Sequence, residues 1–238
     1  MSSGGAQRPR TDSTFFDAFF EGWLARQQAF LDELMRVSDE DEDDNGGEQL
    51  VENILSHYGE YYEEKAKLMR ENIFLVFCPP WLTSLEKAFL WAAGFKPSVV
   101  FRLLETSVFD IVSEQVEQLE ELKSYTMWEE KEVAEALATV QERVGSPQLM
   151  GLARQVGKLV DGELSDFNEA MKDLKQAMTD VVERADRLRR FIALRVVGIL
   201  NPKQRVKFLI AVAKYQLRVR GWGLQKDNQG ESSGSTAS

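Results

Sequence analysis

This sequence has few of the residues on which most protein chemistry depends. Its 238 residues include one cysteine, Cys78, and one histidine, His57. A lone cysteine cannot form an intramolecular disulfide, which favours a reducing, intracellular compartment. A lone histidine cannot supply a two-histidine metal site. We therefore expect neither a metal centre nor a disulfide scaffold.

Motifs for catalysis, secretion and membrane insertion are absent as well. The sequence contains no Gly-rich nucleotide-binding loop, no zinc-protease helix and no Cys-x-x-Cys pair. Its N-terminal segment MSSGGAQRPR lacks the apolar core of a signal peptide, and no apolar run approaches the ~20 residues of a membrane-spanning helix. These absences argue against an enzyme and predict an intracellular protein that is not secreted.

Charge is plentiful but unevenly distributed. The net charge is −10, yet residues 184–220 carry eleven Lys and Arg against one acid, Asp186, which is a local charge of +10. The rest of the chain therefore carries −20. We expect the chain as a whole to repel nucleic acid, whereas its C-terminal part could attract an acidic partner.

Apolar residues recur almost everywhere at steps of three and four, and no alternating strand pattern is present. The pattern predicts an all-α fold, a multi-helix bundle of long antiparallel helices with a short-helix insert around residues 79–110. Hydrophobic residues make up 43% of the chain, which suffices for a sizeable core. We place the domain at 14–222, between a disordered N-terminus (1–13) and a disordered tail (223–238), with an acidic linker at 38–47.

Local signals predict where the helices begin and end. A heptad seam runs from Leu164 to Ile192, so the helix that carries it should pack along a partner at a shallow angle. The Gly-Ser-Pro break at 145–147 favours a partner within the same chain. The predicted helices are a first from near Ser13, a second at about 48–72, a third at about 113–144, a fourth along the seam and a final one from the cap pair Asn201-Pro202.

The segment WLTSLEKAFLWAAGFKPS at 81–98 contains the least ordinary pattern. Pro79-Pro80 ends the preceding helix, Thr83 or Ser84 can cap a short new one, and Gly94 is predicted to end it. The two tryptophans need not share a face, because ten residues span just under three helical turns. Glu86 and Lys87 are interpreted as a local pair or a partner contact. The apolar side chains expected to point inward are Leu85, Phe89 and Leu90.

Two residues are candidates for catalysis. His57 could act as a base with Glu60 or Glu64 on the same helix face, but we favour a histidine that is hydrogen-bonded at a helix interface. Cys78 could be a reactive thiol, but its apolar flanks favour a buried, inert cysteine. We therefore predict no catalytic, metal-binding or cofactor-binding residue.

The helix at 185–200 is both basic and amphipathic. Arg187, Arg190 and Arg195 could form a face for calmodulin or another acidic partner. Leu188 and Ile192 continue the heptad seam, so we expect the apolar side of this helix to be buried. No helix-turn-helix or zinc-finger pattern occurs, and we expect no direct DNA binding.

The sequence resembles one plant family in three segments that occur in the same order: ILSHYGEYYEEKA at 54–66, PPWLTSLEKAFLWAAGFKPS at 79–98 and RADRLRRFIALRVVGILNPKQRVKFLIA at 184–211. This family is the domain shared by the delay-of-germination seed-dormancy proteins and the C-terminal half of TGA-type bZIP transcription factors. FFEGWLARQQAFLDEL at 19–34 is similar to its N-terminal helix. The residues that carry the motifs are Trp23, His57, Tyr58, Tyr61, Lys65, Pro80, Trp81, Glu86, Phe89, Trp91, Gly94, Phe95, Pro97, Ser98, Ala185, Asp186, Leu188 and Arg189.

The resemblance implies regulation rather than catalysis, with the motif residues structural or partner-binding. TGA-type factors place a bZIP region before this domain and use the domain to recruit coactivators. Only about a dozen residues precede the first predicted helix here, so we expect a standalone, dormancy-type member linked to abscisic-acid signalling, seed maturation or stress response. It would act through protein–protein interaction.

The resemblance also implies partners and one cofactor to consider. The founding dormancy protein is associated with type 2C protein phosphatases and with heme held by histidines near its C-terminus. Because this sequence has no histidine after Asn201, we expect no heme. Phosphatases or other signalling proteins are the expected partners, and the seam leaves self-association open.

Other classes of function stay open. The chain could be a transcriptional co-regulator without its own DNA-binding region. It could also bind a small apolar ligand or lipid, although aromatic sets more often fill a core. An enzyme has only His57 in its favour. The aromatic side chains that could line an apolar cavity are Phe15, Phe16, Phe19, Phe20, Trp23, Tyr61, Tyr62, Phe74, Phe77, Trp81 and Trp91.

Overall fold

The structure is a computed structural model that describes residues 12–39, 44–145 and 161–234. Within these ranges there are seven helices and no strand, apart from one isolated bridge between Trp91 and Gly94. The predicted all-α bundle with its short-helix insert is confirmed. The helices are α1 (Asp12–Asp39), α2 (Asp44–Phe77), α3 (Ser84–Ala88), α4 (Val99–Ser107), α5 (Ser113–Val144), α6 (Asp161–Ile199) and α7 (Pro202–Gly234).

The core consists of two hydrophobic clusters. One cluster surrounds Trp23 and Trp81 and draws mainly on α1, α2 and α6. The other is centred on Ile192 and Phe208, where α4, α6 and α7 meet. Tyr58 and Trp91 pack against both clusters, so the two form one continuous interior around the segment that joins α3 to α4.

Helices α5 and α6 lie antiparallel along each other. Glu129 contacts Arg184 while the earlier Tyr125 contacts the later Phe191, so the two chain directions oppose. The heptad seam faces this helix and the core, as predicted, and its partner belongs to the same chain. The buried seam residues are Leu174, Met178, Val181, Ala185, Leu188 and Ile192.

Helix α2 begins earlier and ends later than the sequence predicts. It starts at Asp44, so residues 44–47 of the predicted acidic linker are helical, while 40–43 lie outside the described residues. At Asn72 the backbone leaves helical geometry (φ −152°, ψ 92°), and the helix then resumes to Phe77. The Asn72 side chain accepts a hydrogen bond from Phe74 N at 3.1 Å. An Asn side chain competes in this way with the backbone hydrogen bonds of a helix. The position predicted as the end of the helix is therefore a kink within it.

Helix α7 continues to Gly234, beyond the boundary at 222 predicted from composition. Its Asp227 carboxylate accepts a hydrogen bond from Ser84 N, 3.0 Å away, at the start of α3. The last turns of α7 therefore bind a backbone N–H of the short-helix insert. At its other end, Asn201 caps α7 as predicted, with Gln204 N donating to Asn201 Oδ1 at 2.9 Å.

The insert corrects three predictions. Thr83 caps α3 in a capping box with Glu86, as expected, but the helix ends at Ala88 and not at Gly94. Phe89, expected to point inward, is 46% exposed because it already lies past the helix end. Cys78 is exposed rather than buried, since the chain leaves α2 here and buries the adjacent Pro79 instead.

A search of the described ranges for a helix that is both long enough and apolar enough to cross a bilayer finds none.

Candidate functional site

The segment from Trp91 to Gly94 is a tight reverse turn between α3 and α4. Trp91 N donates to Gly94 O at 2.7 Å, and Gly94 N donates to Trp91 O at 3.2 Å. The central residues Ala92 and Ala93 have φ of 44° and 61°, which are the signs of a type I′ turn that normally contains Asn and Gly. Left-handed backbone at a residue with a side chain costs roughly 1–2 kcal/mol. The turn therefore depends on its neighbours for support.

Two buried cations hold this turn from below. Lys65 Nζ donates to Ala93 O at 2.7 Å. Arg189 donates from Nε to Phe95 O at 2.7 Å and from Nη2 to the carbonyls of Ala92, at 3.1 Å, and Trp91. Since Gly94 O accepts from Trp91 N, every carbonyl from Trp91 to Phe95 has a donor. We call this arrangement of Lys65, Asp186 and Arg189 under the 91–95 segment the turn clamp.

Asp186 joins the two cations of the turn clamp. It lies 2.9 Å from Lys65 Nζ and 2.6 Å from Arg189 Nη1. The side chains are only 4%, 16% and 7% exposed for Lys65, Asp186 and Arg189, so three charges share one buried volume. Burial lowers the pKa of Lys65 to about 8, against the opposing pull of Asp186. Charge-assisted bonds of this length are among the stronger ones in proteins.

Gly94 leaves the space through which Arg189 reaches the turn. A Cβ at this position would lie 2.7 Å from Arg189 Cζ and 2.9 Å from its Nε. The glycine is therefore required by a close approach and not by its own backbone angles, since the positive φ values fall on the two preceding alanines.

A second buried carboxylate fixes α3 against α7. Glu86 Oε2 accepts from Thr83 N and Thr83 Oγ1, both at 2.8 Å, and from Arg220 at 2.9 Å. Arg220 also donates to Trp81 O at 2.7 Å and pairs with Glu21 of α1. Glu86 is thus a structural group whose ion-pair partner, Arg220, lies on a distant helix, whereas the sequence suggests a local pair with Lys87 or a partner contact.

A third buried carboxylate, Glu130 of α5, binds the backbone just before α4. It accepts from Ser98 N at 2.6 Å and lies 3.3 Å from Lys96 Nζ. Glu130 is not among the candidate residues predicted from the sequence. The available signal was its position at helical spacing between the buried Thr126 and Val133, where a glutamate needs a partner.

His57 is buried by stacking and does not form the predicted interface hydrogen bond through Nε2. Its ring lies 4.5 Å from Trp23 at an angle of 7°, and Nε2 has no partner among the described residues. Burial, with a smaller contribution from the Arg26 charge, lowers its pKa from 6.5 to about 4. The two glutamates considered as partners are engaged elsewhere, Glu60 with Arg26 and Glu64 with Lys67. The described residues include no group of three or more His, Cys, Asp and Glu placed to hold a metal ion.

A cavity of about 290 Å³ adjoins the turn clamp. Its wall is mainly apolar, while Lys65, Asp186 and Arg189 provide charge on one side. Of the aromatic residues proposed as a lining, it contains Trp23, Tyr61 and Tyr62, whereas Phe16 and Trp81 fill the core and Phe15 and Phe74 face solvent. Other residues of the wall are Phe95, Leu103, Ala193, Val212 and Tyr215.

The motif residues therefore separate into three groups. The first surrounds the turn clamp and the cavity: Trp23, Tyr58, Tyr61, Lys65, Trp91, Gly94, Phe95, Pro97, Asp186 and Arg189. The second lies in the core or at the α3 and α4 supports: His57, Trp81, Glu86, Ser98, Ala185 and Leu188. The third is exposed and joins neither: Pro80 and Phe89.

Comparison with known proteins identifies the family. The profile of the DOG1 family, described as seed dormancy control, matches residues 30–106. Protein ZW2 of Arabidopsis thaliana is 40% identical over 221 residues, which are 90% of this chain and 98% of that protein. The chain belongs to the seed-dormancy-control family. Another relative from the same plant, Protein RESPONSE TO ABA AND SALT 1, is 41% identical over 222 residues, 89% of this chain and 96% of that protein.

The seed-dormancy-control domain is shared with longer transcription factors. Arabidopsis thaliana Transcription factor TGA1 is 27% identical over 206 residues, which cover 86% of this chain but 54% of that protein. The predicted kinship with both groups is confirmed, and it supports a regulatory role of the delay-of-germination type for this chain.

Proposed function

We propose that the chain is a non-enzymatic regulator that acts by protein–protein interaction in abscisic-acid-linked control of seed dormancy, seed maturation or stress response. The observation that carries this proposal is the internal use of its charged motif residues. Lys65, Asp186 and Arg189 bind one another and the strained turn, and Glu86 binds a helix cap and Arg220. Groups committed to structure in this way are unsuited to proton transfer or nucleophilic attack.

The hormone setting is supported by the relative named for its response to ABA and salt, which matches this chain almost end to end. We place the protein in the nucleus and cytoplasm, and we propose signalling proteins, type 2C protein phosphatases first, as its partners. We further propose that it acts without heme. Its one histidine is buried, with Trp23 and Phe30 packed at 4.5 and 5.1 Å from the imidazole.

Calmodulin ranks below other acidic partners. A calmodulin target presents the apolar face of a helix to a groove, but Leu188 and Ile192 of α6 are 5% and 0% exposed. Wrapping α6 would require these residues to leave the core. An acidic partner that lies on the exposed side of α6 has no such requirement.

The proposal is tested in a plant line that lacks this protein, with its unedited sister line as control. Germination is scored over a series of abscisic-acid and salt concentrations, and the purified protein is titrated with a type 2C phosphatase by calorimetry. We expect an altered dose response that the wild-type gene restores, together with saturable binding. Identical dose responses in both lines would reject the proposed function, whatever the calorimetry shows.

A second candidate function is the binding of a small apolar ligand, and the cavity beside the turn clamp favours it. Its volume of about 290 Å³ is close to the lower end of the ligand pockets of proteins, which span about 300–1,000 Å³. Native mass spectrometry should show an added mass in the wild-type protein. The mass should be lost in Val212→Trp, which fills the cavity, and kept in Val116→Trp on the surface. An unliganded wild-type spectrum after gentle purification would rule this function out.

A further inference from the structure

Helices α5 and α6 expose aromatic side chains that touch one another outside the core. The ring centroids of Tyr125 and Trp128 are 6.4 Å apart, and those of Tyr125 and Phe191 are 5.6 Å apart. Leu194 follows Phe191 on the same side of α6, and it is 55% exposed, as is Trp128. We call these four residues the aromatic patch. A contiguous exposed set of this kind marks an interaction surface more often than scattered single residues do.

Unpaired arginines border the aromatic patch on α6. Arg187 and Arg195 lie one turn to either side of Phe191, and Arg190 lies one turn before Leu194. All three are exposed, and no carboxylate of the described residues forms an ion pair with them. Arg and large aromatic residues are also the types that are enriched in the energetically dominant parts of protein interfaces.

The α5 border of the patch does not balance this charge. Glu129 and Glu132, within one turn of Trp128, are paired with Arg184. Among the described residues, Glu121 is then the one unpaired acid within a turn of Tyr125 or Trp128 on this face. A second copy of the chain could pack on the patch about a two-fold axis parallel to the helices. It would then offer one unpaired acid to the three unpaired arginines of the first copy. The charges therefore favour a more acidic partner over self-association.

We propose that the aromatic patch and its three arginines dock an acidic amphipathic helix of a partner protein. The apolar side of that helix would cover Phe191, Leu194 and Trp128, while its carboxylates would pair with the arginines. Such helices place apolar anchors at positions i, i+3, i+4 and i+7, and complementary charge sets orientation and speeds association. The proposal rests on the proposed function as an interaction protein and assigns the surface and the chemistry of the partner.

The test uses two fluorescein-labelled peptides of about 18 residues, an acidic one with Leu on one helix face and Glu on the other, and its counterpart with Lys for every Glu. Binding to the full-length protein is followed by anisotropy at about 50 and 300 mM NaCl. We expect the acidic peptide to bind about tenfold or more tightly than the basic one, with the difference shrinking at high salt. The triple variant Arg187→Glu, Arg190→Glu, Arg195→Glu should reverse the preference, and Phe191→Ala should weaken binding about fivefold.

Matched controls carry the same changes elsewhere on the surface. Arg102→Glu, Lys203→Glu and Arg218→Glu together alter the net charge equally, and Phe109→Ala removes a ring that is 85% exposed. Both controls should bind the acidic peptide like the wild type. All variants change exposed side chains, and circular dichroism with thermal unfolding confirms that each is folded before its binding is compared.

Three results would overturn the proposal. Equal binding of the two peptides would remove the charge argument, and unchanged preference in the triple variant would place the binding elsewhere. A concentration-dependent dimer in sedimentation, abolished by Phe191→Ala, would make the patch an interface between copies. The plant line separates this proposal from the proposed function. If the triple variant no longer binds the peptide but still restores the hormone response, the proposed docking surface is rejected and the regulatory function stands.

Discussion

Replacement of Asp186 by Asn tests whether the buried turn clamp holds the fold together. The carboxylate lies 2.9 Å from Lys65 Nζ and 2.6 Å from Arg189 Nη1, and Asn keeps its shape but not its charge. Breaking a buried ion pair costs about 3–5 kcal/mol, because the charge left behind has no partner. Lys65 can relieve part of this cost by releasing its proton, since burial already holds its pKa at about 8. We therefore expect a loss near the lower limit, about 3 kcal/mol.

The loss is measured by urea and thermal unfolding followed by circular dichroism. For a chain of this size, about 3 kcal/mol corresponds to roughly 6–12 °C in Tm. Asp173→Asn on the exposed side of α6 is the control, and it should lie within about 0.5 kcal/mol of the wild type. In a Lys65→Met background, where one of the two cations is already gone, Asp186→Asn should cost at least about 1 kcal/mol less.

The pH dependence of the Asp186→Asn variant follows from the same charges. The pKa of Lys65 in the folded protein is below that of a free lysine, so the unfolded chain binds more protons between pH 8 and 10.5 and stability rises with pH there. Without Asp186 the pKa of Lys65 falls further, and the deficit should shrink as the pH rises from 7 to 9. A loss below about 1 kcal/mol that adds simply to that of Lys65→Met would refute this account of the turn clamp.

Further predictions concern one histidine and three glycines. Because burial keeps His57 neutral, with a pKa of about 4 against 6.5, the unfolded chain binds the extra proton between these values. Stability should fall by roughly 2–3 kcal/mol as the pH drops from 6.5 to 4, and a His57→Phe variant should lack that part of the slope in unfolding experiments. Gly94→Ala should lower the free energy of unfolding by about 1–3 kcal/mol, since its Cβ meets the buried guanidinium at 2.7 Å. Gly198→Ala, with nothing within 4 Å, should instead stabilise α6 by up to about 1 kcal/mol; the same sign for both alanines would contradict the packing. Gly223→Ala should lower the free energy of unfolding at least as much as Gly94→Ala, because its Cβ would lie 2.0 Å from Thr83 Oγ1. Chemical denaturation measures this change, and an unchanged free energy of unfolding would contradict the prediction.

Helix placement and capping could be predicted from the sequence because their causes are local. Apolar spacing predicts α5 at its observed bounds, and the Asn201-Pro202 pair predicts the start of α7. Thr83 caps α3 because its side chain accepts a hydrogen bond from the backbone N–H of Glu86, three residues further on. The buried seam of α6 also follows from spacing alone, since residues three and four apart share a helix face.

Side-chain orientation near the insert could not be predicted in this way. Phe89 and Cys78 have apolar neighbours in the sequence, which favours burial, but both side chains are exposed in the fold. Gly94 looked like a helix terminator, yet Ala92 and Ala93 take the left-handed angles and Gly94 makes room for Arg189. For Gly94 the deciding neighbour is Arg189, which comes from a distant helix that local propensity does not contain.

The sequence by itself determined the helical periods, the caps, the uneven charge and the family motifs. Tertiary structure alone decided which contacts the charged motif residues make within the fold. Lys65 and Asp186 are 121 residues apart, and Arg189 reaches the turn carbonyls from 94 to 98 residues away. Only their packing against one turn shows that they neutralise one another and hold strained backbone, because the cost of burying a charge depends on what lies within a few ångströms and not on the sequence around it.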